Sequence, residues 1–225
     1  MLEVSVVVPV RDGAASLPAL LESLAAQDLD AERYEVIVVD NGSRDRTAET
    51  AARLGARVVT ELRPGYGAAV HAGLEAATAD LVAVMDGDGS FDPAELLTML
   101  DAVSKGDVDL ALGRRRPIAR GVWPWHARLG NAVVVAWLRR TTGFPAHDLA
   151  PMRVCRRADL LALDVRDRRF GYPLELLRKA TRAGWRIGEY DVTYLPRAAG
   201  TRSKVSGSVR GTVRTARDFW KVRAA

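Results

Sequence analysis

The chain has 225 residues, 48% of them apolar, enough for one sizeable α/β core and too many for a disordered chain. Its formal net charge of +5 favours anionic partners (phosphates, acidic lipid or nucleic acid) without choosing among them. The single cysteine, Cys155, excludes an intrachain disulfide and fits a reducing compartment.

The first ten residues read as a strand, with no basic segment and long apolar core of a signal peptide. Val4-Ser5-Val6-Val7-Val8 is its β-branched run, ended by Pro9. Ser16 is placed to cap a helix through about Gln27, with Pro18 in its first turn. A second strand is expected over Glu35–Val39, a turn over Asp40–Ser43, and a helix over Thr47–Leu54 that stops at Gly55. A short strand over Arg57–Thr60, a helix over Ala68–Ala77 and a strand over Leu81–Met85 follow. Asp92-Pro93-Ala94-Glu95 predicts a helix start, with Asp92 as cap and Glu95 reaching back. A fifth strand is expected over Asp109–Leu112.

Later elements are less regular. Trp125–Arg140 reads as a helix, Met152–Cys155 as a strand, Pro173–Ala183 as a helix and Ile187–Leu195 as a strand. Residues 196–207 form a basic, glycine-containing loop, and 209–222 a final helix. Trp125, Leu129, Val133 and Trp137 recur every four residues, and core packing is the better reading for most of that stripe. Trp123 and Trp125, beside prolines and arginines, also suit a membrane interface. The last helix carries an apolar face beside an arginine stripe, which suits an anionic membrane as well as packing on the domain. No run approaches the ~18–20 apolar residues of a membrane-spanning helix. A cytoplasmic protein is expected, with any membrane contact peripheral.

Continuous apolar strands separated by helices imply a mostly parallel sheet buried on both faces, in a single α/β domain. Ligands bind such sheets beyond the carboxyl ends of the strands. Asp12 follows the first strand, Asp40 ends the second and Asp86 follows the fourth, so these positions predict an acid-lined crevice.

Asp86-Gly87-Asp88-Gly89 holds two carboxylates one residue apart on a tight turn, able to share one Mg²⁺ or Mn²⁺ with substrate phosphates. An ordinary Asp-Gly turn is the plain alternative; the position at the end of a buried strand favours the metal. Asp40 is placed to accept a ring N–H from a uracil or guanine base, while Ser43 or Asp45 caps the next helix. Gly65 and Gly67 precede a helix, where backbone can approach an anion. Arg114 and Arg116 read as solvated charges on a loop, His71 and His147 as structural, and Cys155 as core.

Pro9-Val10-Arg11-Asp12, Val39-Asp40-Asn41-Gly42-Ser43, the glycine turn and Asp86-Gly87-Asp88 resemble, in order and spacing, the family 2 glycosyltransferases. These have a GT-A-like, Rossmann-type sheet with flanking helices. Gly113–Arg116, Trp125 with Arg128, Asp148–Arg153, Phe170–Glu175 and Arg197–Gly207 resemble the polyprenyl-phosphate (dolichyl-phosphate-like) mannosyl- and glucosyltransferases. The resemblance spans nearly the whole chain. It implies inverting transfer of a hexose from a UDP- or GDP-linked donor to a polyprenyl phosphate.

On that resemblance Pro9, Val10, Asp12, Asp40, Gly65, Gly67, Asp86 and Gly87 bind the nucleotide sugar. Arg197, Ser203 and Lys204 close over the diphosphate. Asp86 and Asp88 hold Mg²⁺ or Mn²⁺, and Arg115 and Arg128 face the acceptor phosphate. Residues 1–112 then form a nucleotide-sugar half, 113–208 an acceptor half and 209–225 a basic amphipathic helix. Gly13 stands where the family usually has glutamate, and the Asp148–Arg153 segment is one residue shorter than the common mannosyltransferase form.

A phosphate acceptor already carries about −1.5 to −2 charge and needs no general base. A soluble hydroxyl acceptor needs one, for which Asp148 is the candidate. Three rivals are a noncatalytic nucleotide-binding relative, a sugar nucleotidyltransferase and a nucleic-acid module. A sugar nucleotidyltransferase would show a Gly-rich, Lys-containing loop after the first strand, where this chain reads Pro9-Val10-Arg11-Asp12-Gly13. A nucleic acid is disfavoured by an acidic crevice that repels a polyanion.

Overall fold

The computed structural model describes residues 3–27 and 33–198. Ser203, Lys204 and the expected helix over 209–222 lie outside the described residues.

In chain order the elements are β1 (Val4–Val10), α1 (Leu17–Ala25), β2 (Tyr34–Asp40), α2 (Thr47–Arg53), β3 (Arg57–Thr60), α3 (Tyr66–Ala76) and β4 (Leu81–Val84). A 3₁₀ turn (Pro93–Glu95) leads into α4 (Leu96–Ser104). Then come β5 (Leu110–Pro117), α5 (Trp125–Thr142), β6 (Met152–Arg156), α6 (Arg157–Ala162), α7 (Tyr172–Arg182) and β7 (Ile187–Tyr194).

One seven-stranded sheet runs in the order β3-β2-β1-β4-β6-β5-β7. All its pairings are parallel except those of β6, which is antiparallel to both β4 and β5. Apolar runs in β1, β2 and β4 follow from burial on both faces. Val7, Val39 and Val82 pack under α3 and α7, while Val6, Val8 and Val38 face the cluster containing Leu17, Leu20 and Met99. Each fully buried aliphatic side chain contributes ~1.5–3 kcal/mol. The expected α/β class, single domain and mostly parallel sheet are therefore present.

Several local expectations are corrected. Ser16 precedes α1 without capping it; its hydroxyl donates to the Gly87 carbonyl (2.6 Å) and ties α1 to the acidic turn. Asp92 does accept from the Ala94 amide (2.9 Å), but Glu95 does not reach back. Its carboxylate instead accepts from the Thr193 amide and hydroxyl, clamping β7. β5 continues through Arg114, Arg115 and Arg116, which were expected in a loop. The parallel partner β7 carries the strand on, and Arg114 and Arg116 pair with its Glu189 and Asp191. The boundary drawn between residues 112 and 113 thus falls inside a strand.

The tryptophan stripe is also corrected. Trp125, Leu129 and Val133 are exposed, and only Trp137 packs against the core. α5 buries Val135 and Leu138 instead, a face displaced from the period-four stripe. Cys155 is buried, as expected. Among the described residues no helix is long and apolar enough to cross a membrane.

Candidate active site

The topology gathers chemistry at one edge of the sheet. β1, β2 and β4 run toward it and end near Asp12, Asp40 and Asp86. β5 and β7 end there too, carrying Arg115 and leading to Arg197. Because β6 is antiparallel, its entry, Asp148–Arg153, arrives at the same edge, with Arg153 opposite Val84 in the ladder.

Beyond β1 and β2 the two loops are laced together. The Ser43 hydroxyl donates to Asp40 Oδ1 and accepts from the Asp12 amide (2.9 Å). Asp12 Oδ1 accepts from the Arg44 amide (2.8 Å), and Asp12 has a left-handed backbone at φ 52°. Asp45 accepts from the Ala14 and Thr47 amides, which links the β1 loop to the start of α2. The Gly13 amide donates to Thr47 Oγ1 (2.9 Å). A Cβ at Gly13 would stand 2.3 Å from Val10 Cγ2, so any side chain at this position would require the loop or Val10 to move. Val10 is core, and it meets the crevice loops through its carbonyl, which accepts from Asn41. Pro9 is half-buried beside it.

Asn41 is a shaping residue that its turn segment alone did not flag. Its Nδ2 donates to the Glu61 and Arg63 carbonyls (both 2.8 Å), and its Oδ1 accepts from the Gly65 amide (2.9 Å). The glycines beyond it lie against the chain. The amides of Gly67 and Ala68 donate to the carbonyls of Arg169 and Arg168, so the first turn of α3 is occupied by protein. A Cβ on Gly65 would lie 2.1 Å from the Arg168 carbonyl oxygen, and one on Gly67 2.6 Å from that of Asp167. Both glycines therefore serve close chain packing.

Asp86 and Asp88 are partly exposed on the turn after β4. Burial first, and the Asp88 charge second, push the Asp86 carboxyl up to about 7, against the pull of Arg153, Arg197 and Arg115. Asp88 Oδ1 accepts from the Ser90 amide (3.1 Å) and Oδ2 from Arg197 Nε. Two carboxylates held together at such a cost suit a divalent cation. Among the described residues no third Asp, Glu, His or Cys joins them, so a cation held here would have to take its remaining ligands from substrate phosphate and water oxygens, a common arrangement for Mg²⁺.

Arg115 and Asp148 form a tight pair. Arg115 Nε and Nη2 reach the two Asp148 oxygens at 2.9 and 2.6 Å, and the Arg115 amide adds a third contact at 3.0 Å. Asp148 is 2% exposed. Burial alone would raise its carboxyl, but the Arg115 contacts outweigh that and hold it below the ordinary range. The Arg115 guanidinium lies 3.9 Å from the Trp123 ring centroid, and that of Arg128 6.0 Å from it. The two expected acceptor arginines therefore converge on one indole, itself edge-on to Tyr194.

Arg153 was not among the expected site residues. It is 4% exposed, donates to the Leu149 carbonyl (2.9 Å) and leaves Nε without a partner among the described residues. Two signals pointed to it in the sequence: it ends the Asp148–Arg153 segment of the resemblance, and it is an arginine inside an apolar strand. His147 proves structural, with Nδ1 2.8 Å from Glu189.

The profile of the family described as Glycosyl transferase family 2 matches residues 5–155. An uncharacterized glycosyltransferase of Mycobacterium tuberculosis is 54% identical over 220 residues, 97% of each chain. The undecaprenyl-phosphate 4-deoxy-4-formamido-L-arabinose transferase of Pseudomonas aeruginosa is 38% identical over 170 residues, 71% of this chain and 49% of that protein. Glucosyl-3-phosphoglycerate synthase of Mycobacterium tuberculosis, solved with Mn²⁺, UDP and phosphoglyceric acid, aligns at TM-score 0.76 and 23% identity, covering 98% of this chain and 77% of that one. At that identity the likeness speaks for the fold alone.

Proposed function

The chain belongs to glycosyl transferase family 2, and on that premise we propose that it transfers a hexose from a UDP- or GDP-linked donor to a polyprenyl phosphate, inverting the anomeric carbon. An acceptor phosphate oxygen attacks that carbon, the bond to the donor's diphosphate breaks, and the electron pair leaves with the nucleoside diphosphate. Asp40 and Asp12 serve the nucleoside end. Asp86 and Asp88 would hold Mg²⁺ or Mn²⁺, which when bound neutralises charge on the departing diphosphate. Arg115 and Arg128 orient the acceptor phosphate by charge-assisted contacts.

One observation carries this choice of acceptor: the Arg115–Trp123–Arg128 cluster stands where a base would be sought, while Asp148 is buried and saturated by Arg115. A phosphate acceptor needs no proton removed, so a locked carboxylate costs it nothing. A hydroxyl acceptor would need that carboxylate free. The undecaprenyl phosphate in the name of the Pseudomonas relative lends support to the acceptor class.

The test is a product analysis by mass. The protein is incubated with Mn²⁺ or Mg²⁺ and a panel of nucleotide sugars, offered a short polyprenyl phosphate, the matching polyprenol or phosphoglyceric acid. A hexosyl phosphodiester from the polyprenyl phosphate alone is expected. A product from phosphoglyceric acid or the free alcohol overturns the acceptor class.

A further inference from the structure

α5 is anchored unevenly. Its later turns bury Val135 and Leu138, and Val134 and Trp137 pack against the same cluster. Over Trp125–Gly130 no residue is buried, and Arg128 stands on this overhanging stretch. Burial therefore does little to fix Arg128 relative to Arg115, although the two guanidinium groups approach one indole, Trp123.

One side chain bridges the gap. Asn131 Oδ1 accepts from Arg115 Nη2 (3.3 Å) and from the Leu149 amide (3.1 Å), and its Nδ2 donates to the His147 carbonyl (3.4 Å). Among the described residues these are the only side-chain hydrogen bonds from α5 to another element. Asn131 thus joins the helix both to β5 and to the segment that enters β6. Glu189 of β7 holds that segment from the other side, its carboxylate accepting from the amides of His147 and Asp148 (2.6 and 3.0 Å). The segment has a specialised backbone: Ala150 lies in the left-handed region at φ 47°, and its amide donates to Asp148 Oδ1 (3.2 Å). A carboxamide suits the place. An aspartate there would offer no donor to the His147 carbonyl and would set a second carboxylate beside Asp148.

We propose that Asn131 is a positioning residue, which fixes the first two turns of α5, and with them Arg128, in register with the Arg115–Asp148 pair. Residues 128 and 131 are neighbours one turn apart on the helix, so a link at Asn131 sets the place of Arg128 directly. The Arg115 guanidinium is held by Asp148 through Nε and Nη2. Asn131 shares Nη2 with that pair, so a shift of the helix is felt at Arg115 as well. The consequence for acceptor binding rests on the acceptor reading above; the link between α5 and the pair does not.

The test uses the whole chain. Asn131→Ala removes the link yet raises the helix propensity of the position, so any loosening does not come from the helix itself. In hydrogen–deuterium exchange without ligand, the amides of residues 128–133 in Asn131→Ala should exchange several-fold faster, while those of residues 135–142 hold. With polyprenyl phosphate as acceptor, its KM should rise by about five- to tenfold, with kcat and the calorimetric donor affinity held. In an Arg128→Ala background Asn131→Ala should add little to that rise, because it acts through Arg128. Unchanged exchange overturns the proposal, even where polyprenyl phosphate is the acceptor. So does a loss confined to kcat, or a full additional loss in the Arg128→Ala background. Faster exchange in a protein that leaves polyprenyl phosphate unused supports the link and overturns the acceptor reading instead.

Discussion

Arg197 lays its guanidinium on the Asp88 carboxylate, Nε to Oδ2, and the neighbouring Ala198 amide donates to the Asp88 carbonyl at 3.1 Å. The chain thereby supplies its own cation to a carboxylate that the metal reading also requires. On the proposed function a divalent ion at this turn would therefore compete with Arg197 for one oxygen until a donor diphosphate gave the arginine another anion. Arg197→Gln is expected to tighten binding of Mn²⁺ alone by about a few-fold, yet to weaken UDP or GDP binding in the presence of Mn²⁺. Asp88→Ala should weaken both. Calorimetry with metal alone and with metal plus nucleotide separates the two effects. An Arg197→Gln protein with unchanged metal affinity would remove the competition.

The Arg115–Asp148 pair makes a second prediction. Arg115→Ala strands a buried carboxylate and should cost about 3–5 kcal/mol of stability. Arg128 is exposed, so Arg128→Ala should change stability by less than about 0.5 kcal/mol while lowering acceptor use by about tenfold or more. Asp148→Asn is expected to act through Arg115, reducing stability and acceptor use without altering the pH–rate profile. Denaturant melts, steady-state kinetics on the acceptor and calorimetry with the donor read these separately. An Asp148→Asn protein that folds normally, loses about 10²–10⁴ in rate and loses one limb of its pH profile would make Asp148 a base.

Gly13 and Val10 offer a steric test. Gly13→Ala places a Cβ against Val10 Cγ2 and should destabilise the protein by about 1–3 kcal/mol. Val10→Ala removes the clashing methyl at its own cost, and the double variant should be more stable than the two single losses predict. A double-mutant cycle by thermal melts measures the coupling. Additive losses would mean that the loop shifts freely and that Gly13 is not fixed by packing.

Asp86 sets the pH behaviour. Its carboxyl is raised from 3.8 to about 7. The stability it contributes is thus fully present below about pH 4 and is lost as pH rises through about 7. A divalent ion must displace that proton. Mn²⁺ should therefore bind more weakly at about pH 6 than at about pH 8 and release a proton in the acidic case. Titrations in buffers of different ionisation enthalpy detect the release, and Asp86→Asn should abolish it. No proton release from the wild type at about pH 6 would contradict the raised carboxyl.

Much of the first half of the chain was legible because local chemistry decides it. Valine runs specify buried parallel strands, and β3 falls on Arg57–Thr60 as read. The second half was harder for identifiable reasons. A period-four stripe such as Trp125, Leu129, Val133 says that residues share a face, not which side of the helix meets the core. Strand direction is invisible in five residues, so β6 could not be read as antiparallel. The arginines of β5 look like a loop until β7 supplies acidic partners far along the chain. Glu95 had a local role available, capping, and a distant one, Thr193, and the distant one won.

Inserting β6 between β4 and β5 also sets an order of assembly. β4 is fully buried in the finished sheet, with Leu81, Val82, Ala83 and Val84 each at most 8% exposed, yet one of its edges is covered only by residues 152–156. A nascent chain or fragment ending before residue 152 carries a bare apolar edge. Such an edge is prone to aggregate rather than fold. Splitting the molecule near residue 112 would therefore yield two insoluble pieces rather than two working modules, and productive folding on the ribosome waits for the strand that brings Arg153 opposite Val84.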